Sequence, residues 1–134
     1  MSKDKVVKTE PSGELMLRTL AMPADTNANG DIFGGWIMSQ MDLAGGLMAK
    51  QISQGRICTV AVDGMTFYRP VAVGNAVCVY GSFEKRGHTS MRLRLEVWVR
   101  PMLEDLSEHY CVTEAVYTYV AIDDHGHPRP LPPA

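Results

Sequence analysis

The chain has 134 residues, 46% of them hydrophobic and 21% charged, the length and balance of one soluble globular domain with a core of its own. Thirteen Lys plus Arg against fifteen Asp plus Glu leave a net charge of −2, which argues against nucleic acid or an anionic membrane as the main partner. No apolar run approaches the roughly 20 residues of a transmembrane helix, and Met1-Ser2-Lys3-Asp4-Lys5 opens on no apolar signal segment, so a cytoplasmic protein is expected.

Residues 1–13 are polar, end in Pro11-Ser12-Gly13 and read as a flexible leader. Leu15, Met16, Leu17 and Leu20 mark a short strand, and Met22 to Gly35 is turn chemistry rich in Pro, Asn, Asp and Gly. Phe33, Ile37, Met41, Ala44, Met48 and Ile52 then recur at helical spacing. Trp36, Leu43 and Leu47 widen that stripe, which predicts a largely enclosed helix closed by Gln54-Gly55. Four strands follow: Ile57 to Phe67, Ala76 to Phe83, a segment around Met91 to Arg100, and Tyr110 to Ile122. In the third, Met91, Leu93, Leu95, Val97 and Val99 are predicted to face the core, and Arg92, Arg94, Glu96, Trp98 and Arg100 the outside, with Trp98 a candidate subunit contact. A loop with a helical turn is expected at 101–108 and a Pro-rich tail at 125–134, so the domain itself runs over 14–124. One helix followed by four consecutive strands, plus the early strand, makes an α+β fold: an antiparallel sheet of about five strands wrapped round a single central helix.

No phosphate-binding loop, dinucleotide fingerprint, nucleophile elbow or zinc-protease helix occurs. Cys58, Cys78 and Cys111 are scattered in strand-like surroundings and read as reduced core cysteines. His125 and His127 lie in a polar turn, so no metal and no resident cofactor are expected. Asp42 is the residue that stands out. It sits about two turns into the helix, and its neighbours Met38, Ser39, Gly45 and Gly46 offer no cation. A carboxylate on a mostly apolar helix is costly unless compensated. The pattern fits two descriptions equally: a reactive carboxylate with open space made by the two glycines, or an exposed edge with glycines serving close packing. Asn27-Ala28-Asn29-Gly30-Asp31-Ile32-Phe33-Gly34-Gly35-Trp36 runs directly into the helix. Such a start exposes N–H groups that glycines leave accessible to a carbonyl oxygen, although a plain turn with Asp31 as helix cap has the same composition.

Asn27-x-x-Gly30-Asp31-x-Phe33-Gly34-Gly35-Trp36, followed by Ser39-Gln40-Met41-Asp42, resembles the hot-dog-fold acyl-CoA thioesterases, in particular their bacterial YciA-like branch. The likeness extends from about Leu17 to Ile122 through Thr59-Val60-Ala61-Val62, Phe67-x-x-Pro70, Gly87-His88-Thr89-Ser90 and Tyr110-Cys111-Val112-Thr113. It implies a hot-dog fold, dimers joined edge to edge and commonly gathered as trimers of dimers into hexamers, and hydrolysis of acyl-CoA between subunits, coenzyme A entering as part of the substrate. By position, Asp42 matches the family's catalytic carboxylate, Asn27 its motif asparagine, and Gly35 the helix-start glycine that polarises the thioester carbonyl. Gly34 belongs to the same substrate-binding start. Phe33 stands where the family often has His, which argues against a dehydratase.

Coenzyme A phosphates need cations and donors. Lys85, Arg86, Gly87, His88, Thr89 and Ser90 are the one compact basic and hydroxyl cluster, with Arg69 a further candidate; a Lys-Arg-Gly turn is also common as a solvated hairpin. Two other functions share the fold: a non-catalytic acyl-CoA-binding module, and a dehydratase or hydratase.

Overall fold

The helical stripe becomes α1, Gly34–Ser53, in a computed structural model that describes residues 9–100 and 109–134. The expected loop at 101–108 and the first eight residues of the leader lie outside the described residues. Ile37, Met41, Ala44, Gly45, Met48 and Ala49 form the buried side of α1. The helix is not enclosed, however: Leu43 is 58% exposed and Leu47 47%. One sheet face covers one side of a helix, and these two residues, four apart, share the side turned away from it. Helical geometry starts after an extended Phe33 with no side-chain cap, so Asp31 does not serve as one. At the other end Gln54, rather than Gly55, takes the left-handed conformation and donates its N–H to Lys50 O.

Five strands, β1 (Glu14–Leu20), β2 (Ile57–Phe67), β3 (Ala76–Arg86), β4 (Ser90–Arg100) and β5 (Tyr110–Ala121), form one sheet in the order β1-β3-β4-β5-β2. Every neighbouring pair is antiparallel. The ladder of β2 with β5 slips between Asp63 and Thr66, where Gly64 has φ +69°, a bulge that a side chain would strain. Together α1 and the sheet's inner face make the expected hot-dog architecture, with Met91, Leu93, Leu95, Val97 and Val99 of β4 fully buried under the helix. Cys78 and Cys111 are buried and Cys58 is half-buried, and among the described residues none of the three forms a disulfide.

The outer face of β4 departs from the expected alternation. Arg92, Arg94 and Arg100 are partly exposed, but Glu96 and Trp98 are each 1% exposed, so Trp98 is an internal residue of this chain and not a subunit contact. Trp98 Nε1 donates to Glu96 Oε1 at 2.9 Å, the Ser12 N–H donates to the same oxygen at 3.2 Å, and the His109 ring leans on the indole. Arg94 pairs with Glu114, the β5 residue opposite Glu96. The end of the leader and the residue just before β5 cover this patch, and the β4–β5 register slips between Val97 and Trp98. The end of the leader is accordingly tied to the sheet rather than loose, with Gly13 packed on the Gly81 carbonyl.

The C-terminal tail is also held. Ile122 bridges Pro128, Leu131 is 8% exposed, and its N–H donates to His88 O. Arg129 donates to Ile122 O, Ser53 O and Arg56 O, filling the space a side chain at Gly55 would take. Among the described residues no helix is long and apolar enough to cross a membrane.

Candidate active site

Residues two apart on a strand are separated by about 6.6 Å, and residues four apart on a helix by about 6 Å. Tyr117 and Tyr119, on the inner face of β5, exploit that match. Tyr117 Oη donates to Met38 O at 3.0 Å, and Tyr119 Oη lies 3.2 Å from Asp42 O, one helical turn on. Tyr119 Oη is also 3.0 Å from Asp42 Oδ1, and Thr59 Oγ1 of β2 donates to that oxygen at 2.7 Å. The half-buried carboxylate is therefore compensated by two neutral hydroxyls instead of a cation. Burial, with the charge of Asp42 second, pushes Tyr117 up to about 12, and Tyr119 well above the ordinary tyrosine value. Both hydroxyls stay protonated donors across the working pH range.

The two glycines after Asp42 divide the roles that the sequence left open. A Cβ on Gly45 would clash with the Tyr119 hydroxyl and lie 2.9 Å from Leu95 Cδ1, so Gly45 serves close packing. At Gly46 the nearest atom would be Ile57 Cδ1 at 3.8 Å. Gly46 lines a cleft of about 340 Å³ with Asp42, Leu17, Leu43, Leu47, Lys50 and Ile57, an apolar groove with the carboxylate in its wall.

Asn27 lies elsewhere. Its Oδ1 accepts from the Asn29 N–H at 2.8 Å and the Asp31 N–H at 3.2 Å, so the side chain organises the turn that feeds α1 and keeps its NH2 for other partners. With Gly34, Ile37, Phe67 and Arg69, Asn27 lines a second cleft of about 390 Å³ at the helix start. The Arg69 guanidinium sits 3.7 Å above the Tyr110 ring. A Cβ on Gly35 would meet nothing within 4 Å, so a ligand has room to approach the first-turn N–H groups. Gly35 and Asp42 are seven residues apart on one helix, about 10 Å along its axis. One helix therefore cannot present both to a single carbonyl.

The basic cluster straddles the β3–β4 hairpin. Arg86 closes β3 opposite Met91, and Gly87, His88 and Thr89 make the turn into Ser90. The Arg86 guanidinium donates to Pro132 O of the tail. The Thr89 carbonyl accepts from Ala121 N and that of Ser90 from Gly87 N, which leaves both hydroxyls outside the turn's own bonding. Within one chain, then, the expected site residues form three groups: Asn27, Gly34, Gly35 and Arg69; Asp42; and Arg86 to Ser90. Sequence reasoning missed Thr59 and Tyr119. The signal available for Tyr119 was a glycine on the buried helix face opposite a large aromatic on an inward strand position.

Residues 29–104 match the family model described as the Thioesterase superfamily. An acyl-CoA thioester hydrolase, YciA, of Salmonella typhimurium is 61% identical over 123 residues, covering 91% of this chain and 92% of the relative. A solved hexameric thioesterase of Yersinia pestis is 62% identical with TM-score 0.89, over 92% of this chain and all of that one. A hexameric hotdog fold thioesterase of Campylobacter jejuni, at 37% identity, has TM-score 0.84 over 90% of this chain and 91% of its own.

Proposed function

The chain belongs to the thioesterase superfamily, and from that membership we propose that it works as an acyl-CoA thioester hydrolase whose reactive carboxylate is Asp42. Water adds its oxygen to the acyl carbon, the C–S bond breaks, and coenzyme A leaves as a thiolate that takes up a proton. Asp42 acts either as the base that deprotonates the water or as the nucleophile of a mixed anhydride that water then opens. The observation that carries this reading is a carboxylate held by Thr59 and Tyr119 in the wall of an apolar cleft.

The carbonyl is polarised by N–H groups at the start of α1, around Gly34 and Gly35, with the Asn27 carboxamide as an orienting donor. Because about 10 Å of helix separates Gly35 from Asp42, the reacting group lies between two subunits, one supplying the helix start and the other the carboxylate. Two surfaces support such pairing. β2 is an edge strand with β5 as its one neighbour among the described residues, and Val60 on it is 53% exposed. Leu43 and Leu47 expose an apolar helix face beside Asp42. Dimers joined along β2 and gathered into a hexamer are part of the proposal, in keeping with the hexameric thioesterases of similar structure.

Arg86, His88, Thr89 and Ser90, with Gly87 permitting the turn, are assigned to the phosphates of coenzyme A, and Arg69 to the cleft at the helix start. A cytoplasmic setting is also proposed, on three cysteines in thiol form that suit a reducing compartment. Thiol release from short, medium, long and aromatic acyl-CoA tests the assignment. Turnover by the wild type that collapses in Asp42→Asn with the assembly intact is expected; binding without thiol release would favour a non-catalytic module.

A further inference from the structure

We propose that Tyr119 is a positioning residue, which with Thr59 fixes Oδ1 of Asp42 and leaves Oδ2 as the oxygen that meets the substrate. The proposal rests on the reading of Asp42 as the reactive carboxylate. Tyr119 Oη is 3.0 Å from Oδ1 and 3.2 Å from the main-chain oxygen of the same residue, while Thr59 Oγ1 is 2.7 Å from Oδ1. A phenol has one hydrogen to give, and the charged carboxylate is a stronger acceptor than an amide carbonyl already engaged in a helix. Among the described residues no donor to Oδ2 occurs. Two strands thus pin one oxygen of a residue on the helix, and the other is the one left for chemistry.

The support is rigid. Tyr119 is fully buried, stacks on Tyr117 with ring centroids 6.3 Å apart, and passes through the gap that Gly45 leaves. Burial keeps its hydroxyl protonated far above the ordinary range, so the donor does not switch off with pH. A carboxylate free to rotate would present either oxygen over a spread of angles, and small misplacements of a reacting group are costly in rate.

Tyr117 provides a matched control, since its hydroxyl makes an equivalent bond to Met38 O but touches no carboxylate. Acyl-CoA hydrolysis is measured for Tyr119→Phe and Tyr117→Phe, with unfolding temperature and assembly checked for both. Tyr119→Phe is expected to lower kcat about 10- to 100-fold with KM within twofold of wild type, and Tyr117→Phe to leave both near wild type. Equal kcat in the two variants, or a KM rise at unchanged kcat in Tyr119→Phe, overturns the proposal. If Tyr119→Phe does not fold, Thr59→Val removes the other donor to Oδ1 at an exposed position of β2 while keeping the side chain's shape. There a lowered kcat at constant KM supports the proposal, and an unchanged kcat overturns it. Asp42→Asn separates the two failures. Wild-type turnover in that variant removes the reading of Asp42 and this proposal with it, whereas an inactive Asp42→Asn beside a fully active Tyr119→Phe removes only this proposal.

Discussion

Gly45 and Tyr119 compete for the same space: the tyrosine hydroxyl occupies the position where a Cβ on residue 45 would stand. That glycine, one turn beyond Asp42 on the buried side of α1, is what allows β5 to deliver a donor to the carboxylate.

The relationship predicts opposite outcomes at adjacent glycines. Gly45→Ala forces a methyl group into Tyr119 and Leu95 and is expected to destabilise the protein by about 1–3 kcal/mol. Gly46→Ala meets only ordinary contact with Ile57 and is expected to stabilise the helix by up to about 1 kcal/mol while narrowing the groove beside Asp42. Chemical denaturation of the two variants decides; equal stability changes would contradict the packing described.

Alkaline stability follows from Tyr117, whose hydroxyl is raised from 10.0 to about 12, chiefly by burial. The folded protein holds this proton more tightly than the unfolded chain. Its contribution is therefore complete below pH 10 and is lost as the pH rises toward 12. Tyr117→Phe should show a shallower fall in stability over that window, measured by denaturant unfolding at several alkaline pH values. A slope as steep as wild type would place the alkaline loss elsewhere.

Arg86 already gives a hydrogen bond to Pro132 O, which uses part of its fork of donors and steadies it at the hairpin. Arg86→Ala is expected to raise KM for acyl-CoA about tenfold with kcat unchanged, the signature of lost uniform binding. An unaltered KM would leave Arg86 as a staple for the tail and remove it from substrate binding.

Much of this fold is legible locally. The stripe from Phe33 to Ile52 sits within one residue of α1, and Ile57 to Phe67 is β2 itself, because periodicity and β-branching are properties of short segments. What is not legible depends on contacts distant in sequence. Leu43 and Leu47 look like core by composition and are exposed because the sheet reaches one side of the helix. Glu96 and Trp98 alternate like surface residues yet are covered by Ser12 and His109. At the site, the helix start and Asp42 announce themselves through glycines and an uncompensated charge. Thr59 and Tyr119, 17 and 77 residues from Asp42 along the chain, become partners only once β2 and β5 stand side by side.

A site shared between subunits is tested most directly by mixing inactive chains. Asn27→Ala and Asp42→Ala proteins are each expected to be nearly inactive. Random reassembly of the two into isologous dimers should restore about a quarter of wild-type acyl-CoA hydrolysis, because half the dimers are mixed and each mixed dimer rebuilds one intact site of its two. Activity no greater than that of either parent, with mixed assemblies demonstrated, would contradict the shared site.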